Sequence, residues 1–263
     1  MMGRPMEHND VHFLRGARLN EPAIEALDEP KDTFPLQLPW IQDFELEFTT
    51  PVTFFIGENG SGKSTLLEAL AERSGLPAGG GSPAEFGVGY TPENQAALTP
   101  FLRAGFRRKP RDGYFFRAEH QAHLAALLEA REKDPEFFGN PYGLYGGKSL
   151  LTRSHGEAFL ELMRNRLQAG LFLMDEPEAA LSPTRQLSLL ALIADRVEGT
   201  RSQFVIATHS PILLTYPGAT ILSFDEGALK VVSLEDTDHY QVTRDILANP
   251  EQYWKHLRPQ STE

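Results

Sequence analysis

The chain has 263 residues, with 25 Lys and Arg against 36 Asp and Glu for a formal net charge of -11, and it contains no cysteine. That length suits one large α/β domain or two small ones, and the lack of cysteine excludes disulfides, thiol catalysis and Cys-ligated zinc. A surface this acidic repels nucleic acid and anionic lipid on average, so such a partner would need a local basic patch.

The opening stretch "MMGRPMEHNDVHFL" has no apolar h-region, and no apolar run approaches the roughly 18 residues of a membrane span. The expected location is cytoplasmic. "VHFLRGARL" and "FELEF" read as short strands of an antiparallel flap, divided by a Pro-containing linker. "VTFFI" reads as a buried strand and "STLLEALAE" as a helix, and "SGLPAGGGSPAEFGVG" after it is a loop.

"RAGFRRKPRDGYFFR" gathers Arg103, Arg107, Arg108, Lys109, Arg111 and Arg117 against a single Asp112. It reads as a solvated loop or an acidic-partner surface ahead of a nucleic-acid contact. Residues 119–132 read as a helix, 134–149 as a second long loop, and "GEAFLELMRNRL" as a further helix. The strand "LFLM", the helix "TRQLSLLALIADRV" and the strand "QFVIA" follow. The tail adds strand-like "ALKVVSL" and a helical stretch in which Tyr240, Tyr253 and Trp254 read as packing residues. Strands alternating with helices predict an α/β fold, a mostly parallel sheet flanked by helices.

Chemistry concentrates between the first buried strand and its helix. Gly57, Glu58, Asn59, Gly60, Ser61, Gly62, Lys63, Ser64 and Thr65 satisfy G-x-x-x-x-G-K-[ST] at a strand-to-helix turn. Glycine admits positive φ and close backbone approach, so successive N–H groups and the helix N-terminus can form a nest for phosphate oxygens. Lys63 is expected at the β- and γ-phosphates, and the Ser64 hydroxyl on Mg²⁺. A glycine-rich turn beside an exposed lysine is the bland alternative.

Ligands of open α/β sheets collect outside the carboxyl ends of the strands. Polar residues stand there in this sequence: Arg117 and Glu119 after "YFF", Asp175 and Glu176 after "LFLM", and Thr208, His209 and Ser210 after "FVIA". Asp175 fits a magnesium-holding carboxylate with Ser64, Glu176 a base or water-orienting group, and His209 a donor to the γ-phosphate or the attacking water. An acidic helix N-cap and a surface histidine are the bland readings of these residues.

Together these stretches resemble the ATP-binding cassette class of P-loop ATPases, in particular small soluble AAA-like members related to SMC-type heads. "GENGSGKST" is similar to Walker A, "LFLMDEP" to Walker B with its catalytic glutamate, and "ATHSP" to the histidine switch. The resemblance covers about Thr49 to Ser223 and implies one ABC-type domain over 1–263, with a helical insertion near 119–150 and a C-terminal extension near 224–263. It implies ATP and Mg²⁺ as ligands, and Lys63, Glu176 and His209 as catalytic residues.

It also implies a signature loop that completes the site of a second protomer. "SHGEAFLELM" occupies that place, with Ser154 and Gly156 as the matching serine and glycine and His155 and Glu157 as departures. Ser154 with Glu157 also spells a capping box. Ser182 stands where the family has an aspartate. Arg117, Glu119 and Gln121 are the polar residues where it places a glutamine, and Phe34 or Trp40 is the candidate aromatic for adenine.

The expected function is Mg²⁺-dependent ATP binding and hydrolysis in a nucleotide-driven homodimer with ATP at the interface. The energising subunit of a membrane transporter is one alternative. A nucleotide-gated module for an unknown protein or nucleic-acid partner, in genome maintenance or defence, is another.

Overall fold

The computed structural model describes residues 13–27, 33–42, 44–83, 96–149 and 155–257. In chain order these form β1 (Leu14–Leu19), α1 (Glu21–Glu25), β2 (Glu45–Glu47), β3 (Val52–Ile56), α2 (Lys63–Arg73), β4 (Leu102–Phe106), β5 (Gly113–Arg117) and α3 (Ala118–Lys133). There follow α4 (His155–Arg166), β6 (Leu171–Asp175), α5 (Pro183–Thr200), β7 (Gln203–Ala207), β8 (Thr220–Ser223), β9 (Lys230–Val232), α6 (Asp238–Ala248) and α7 (Pro250–Leu257).

The main sheet runs β5-β6-β7-β3-β8-β9, with every pair parallel except β8 with β9. Its inner strands are apolar throughout because both faces are covered, as parallel sheets require. Side chains alternate between the faces with period two. Phe55, Phe115, Leu173 and Val205 pack with α2 residues such as Leu66 and Leu70 on one side. Phe54, Phe116, Phe172 and Ile206 pack with Leu128, Phe159, Leu189 and Ile193 from α3, α4 and α5 on the other.

A second sheet, β2-β1-β4, is antiparallel. Gln203, fully buried at the start of β7, joins it to the main sheet: its Oε1 accepts from the Phe13 and Leu14 amides at 3.1 and 2.8 Å, and its Nε2 donates to the Leu14 carbonyl at 3.0 Å. All three polar contacts are thus met without water, which is what makes a buried amide tolerable.

Three readings change. The flap takes its third strand, β4, from the basic run, so that run is not one loop. Arg103 lies on β4 and bonds Asn20, whereas Arg117 ends β5 and turns to the far edge of the sheet. Arg108 and Arg111 stay at the β4–β5 turn and share a hollow of about 290 Å³ with Arg201, near the edge where β5, β6 and β7 begin. The helical tail is two helices divided at Asn249, because Pro250 supplies no N–H to continue the first. Trp254, expected to pack, is 56% exposed.

Candidate active site

Strand register assembles the site. Arg117 pairs with Asp175, Asp175 with Ala207, and Ala207 with Phe55, so the ends of β5, β6, β7 and β3 form one row. The residues that follow each strand therefore face one edge, above the loop from Gly57 to Gly62.

That loop has three glycines with φ of +140, +82 and +94° at Gly57, Gly60 and Gly62, the left-handed geometry that side chains resist. Gly62 is also sterically forced: a Cβ there would sit 2.9 Å from the Trp40 ring nitrogen. Trp40 is 2% exposed, packs against Phe44 and Phe224, and donates its indole N–H to the Ser61 carbonyl at 2.6 Å. It braces the loop from beneath and is no adenine platform. Phe34 is 49% exposed.

Lys63 opens α2 and is 4% exposed, its Nζ donating to the Gly57 and Glu58 carbonyls at 2.6 and 2.9 Å. Burial pulls its pKa below the ordinary lysine value, against the opposing pull of Glu176, Asp175, Asp225 and Glu58. A buried ammonium whose hydrogen bonds to the described residues go to neutral carbonyls is suited to an anion placed beside it.

The Ser64 hydroxyl donates to Asp175 Oδ1 at 3.0 Å. Burial raises the Asp175 pKa to about 6, opposed by Arg117, whose Nη2 lies 3.6 Å from Oδ2, and by the Ser64 bond. Arg117 also bonds Glu68 at 2.6 Å and the Ala78 carbonyl at 3.3 Å. Among the described residues no group of three or more His, Asp or Glu forms a ready cage for a metal. A hydroxyl and one carboxylate fit the way Mg²⁺ is held when phosphate oxygens and water complete its shell.

Glu176 follows β6 with φ +47 and ψ +55°, a left-handed conformation costing a non-glycine residue about 1–2 kcal/mol. Its amide donates to the Ala207 carbonyl at 3.0 Å, and its Oε1 lies 3.6 Å from His209 Nε2. Among the described residues, that Nε2 is buried without a hydrogen-bond partner, as is the Ser61 hydroxyl. Glu178, two residues on from Glu176, accepts the His209 amide at 2.6 Å, so the turn after β6 holds both the carboxylate and the histidine.

Lys63, Ser64, Asp175, Glu176 and His209 thus share one edge, with Glu58, Asn59, Gly60, Ser61 and Thr65 in and after the loop. Ser154 lies outside the described residues, as do the side chains of Glu119 and Gln121. Gly156 is buried in its own chain, where a Cβ would meet Arg185 Nη1 at 2.6 Å and the Ala180 carbonyl at 2.8 Å. Glu157 pairs with Arg185 at 3.2 Å. Ser182 begins α5 without a side-chain cap.

Sequence reasoning missed Asp225 and His239. Asp225 accepts the Glu58 amide at 3.0 Å, and His239 Nε2 lies 3.0 Å from His209 Nδ1. The rule of polar residues after strands would have found Asp225 behind β8. No local signal marks His239.

An AAA-domain family model matches residues 38–71, from the Trp40 brace through the loop and α2. A second AAA-domain model, whose description names the AbiEii toxin of a type IV TA system, matches 121–215 and so takes in Asp175, Glu176 and His209. Two AAA-domain models thus match the chain, each over less than half of its length. No curated protein sequence matches it.

Among solved structures, the chain is similar to the SMC head domain from Thermotoga maritima, 16% identical over 84% of this chain and 98% of that one, with a TM-score of 0.40. It is also similar to cbiO1 from Clostridium perfringens, part of the ABC transporter complex cbiONQ, 15% identical over 82% and 91% with a TM-score of 0.43. These likenesses are distant. No helix among the chain's described residues is long and apolar enough to cross a membrane.

Proposed function

We propose that the chain binds ATP with Mg²⁺ in the loop Gly57–Thr65 and hydrolyses it, and that two copies close on the nucleotide and part after turnover. The carrying observation is the strand-end row, which sets a buried lysine, the Ser64–Asp175 pair, and Glu176 with His209 on one edge.

Loop amides and Lys63 hold the phosphates, with Lys63 exchanging the Gly57 and Glu58 carbonyls for phosphate oxygens. Ser64 and Asp175 would hold Mg²⁺, which supplies neutralisation of charge on the β- and γ-oxygens. Glu176 orients the attacking water and takes its proton, its carboxylate lying 3.6 Å from His209 Nε2. His209 offers Nε2–H to the terminal phosphate or the water, giving its unpartnered nitrogen an acceptor. In-line transfer to water depends on this positioning and charge stabilisation more than on covalent chemistry. Ser154, which precedes α4 in the sequence, is the proposed contact with the partner's nucleotide, where a helix N-terminus favours an anion, whereas Gly156 is enclosed by Arg185 and Ala180 of its own chain.

Glu176→Gln tests the assignment. It keeps the shape and removes the base, so nucleotide affinity should stay near the parent's while turnover falls by about 10²–10⁴-fold. Parental turnover in that variant would remove Glu176 from the role.

A further inference from the structure

The β7 loop ends in one histidine that sequence reading places at the nucleotide, and the fold brings it a second. His239 is the second residue of α6, a helix whose N-cap Thr237 is 3% exposed and accepts the Tyr240 amide at 3.2 Å. Its Nε2 lies 3.0 Å from His209 Nδ1, with the rings 5.2 Å apart and tilted by 38°. Asp225, on the same returning segment, is fixed by the Ser223 hydroxyl at 2.9 Å and holds the Glu58 amide. The chain beyond β8 thus touches the site twice, at the phosphate loop and at His209. Asp225 and His239 line one hollow of about 180 Å³ with Ile56, Ser223 and Thr237.

Proton bookkeeping gives this contact a direction. A neutral imidazole carries one N–H, and its position follows from the partners of its two nitrogens. His209 Nε2 faces the Glu176 carboxylate at 3.6 Å, which favours a proton there over a lone pair. Nδ1 is then an acceptor, and the hydrogen between the rings belongs to His239 Nε2. Burial, and next the neighbouring His209, lower the His239 pKa, which keeps that ring neutral with its single N–H free to point at His209.

We propose that His239 is a positioning residue for the nucleotide site: its Nε2–H holds His209 Nδ1, so that His209 Nε2–H faces Glu176 and the place of the terminal phosphate. The inference rests on the ATPase reading above, and it makes the segment from Ser223 to α6 part of the hydrolytic apparatus. An outer partner that fixes an imidazole's tautomer and ring plane is a recurrent device for aiming its other nitrogen.

Two full-length variants separate this role from packing. His239→Phe keeps an aromatic ring beside His209 without the N–H. His239→Gln restores an N–H at similar reach. Thermal unfolding of both, run in parallel, shows whether either has lost its fold. His239→Phe should lower kcat about tenfold with KM within about twofold of the parent, and His239→Gln should recover most of the loss.

Nitrogen-15 histidine NMR of the nucleotide-free protein reads the tautomer without turnover. The parent should show His209 protonated at Nε2, and His239→Phe a mixture of tautomers. A proton on His209 Nδ1 in the parent, parental kcat in folded His239→Phe, or equal loss in both variants would overturn the proposal. If the parent itself fails to hydrolyse ATP, the ATPase reading falls on its own. The NMR comparison then decides alone, an Nε2–H lost in His239→Phe supporting the hold of His239 on His209 and an unchanged tautomer refuting it.

Discussion

Asp175 is buried between opposing charges: Arg117 and the Ser64 hydroxyl favour its ionised form, and desolvation, Glu176 and Glu68 oppose it. With a pKa of about 6 in the folded chain against an ordinary 3.8, the native state keeps a proton that the unfolded chain releases between those values. Stability from this group therefore falls as pH rises through that window and stays low above it. Asp175→Asn should stabilise the nucleotide-free protein by roughly 1–3 kcal/mol above about pH 7, and the gain should vanish below about pH 4. Arg117 keeps Glu68 in that variant. Denaturant unfolding at the two pH values checks it, and a gain of equal size at both would refute the electrostatic account. Glu176 carries a related tension in its backbone, as functional carboxylates held in strained conformations do.

Gln203 shows how one side chain couples two sheets. Gln203→Leu fills the same space but leaves the Phe13 and Leu14 amides and the Leu14 carbonyl without their partner. Urea unfolding should show a loss of about 2–4 kcal/mol, and a change under about 0.5 kcal/mol would mean that water or a shift of β1 replaces the amide. Period-two and period-3.6 patterns made β1, β3, β6, β7 and α2 to α5 legible, because each buries a face its own sequence declares. They did not reveal β4: "LRAGF" alternates weakly beside five basic residues, and its strand exists because β1 offers an edge to pair with. Neither could they place Trp40 under the loop, since an aromatic upstream of a phosphate loop reads equally as a platform for adenine or as core.

Two copies of a chain with net charge -11 repel at long range, so association must be driven at the interface itself. The proposed dimer supplies that drive through nucleotide shared between the phosphate loop of one copy and the start of α4 of the other. Specific ATPase activity should then fall as protein is diluted toward the nanomolar range, and Glu176→Gln should scatter light as a dimer only with ATP and Mg²⁺. Constant specific activity on dilution would show that each copy works alone. The basic run, which in sequence reads as a solvated loop or an acidic-partner surface ahead of a nucleic-acid contact, is divided in the folded molecule. Arg103 serves the small sheet, Arg117 the edge that holds Asp175, and Arg108 and Arg111 the opposite edge with Arg201.

The amino-acid sequence by itself determined the glycine-rich turn after β3, the strands and helices around it, and the places of Lys63, Ser64, Asp175, Glu176 and His209 at or just beyond the strand ends. Glycine stereochemistry, hydrophobic period and the polar residue at a strand's end all act within a few positions along the chain. Only the tertiary structure decided that Arg117 faces Asp175, that Asp225 holds the Glu58 amide, and that His239 meets His209 across 30 positions. Those contacts depend on strand register and on the path of the returning tail, which the packing of the whole sheet sets and no local pattern encodes.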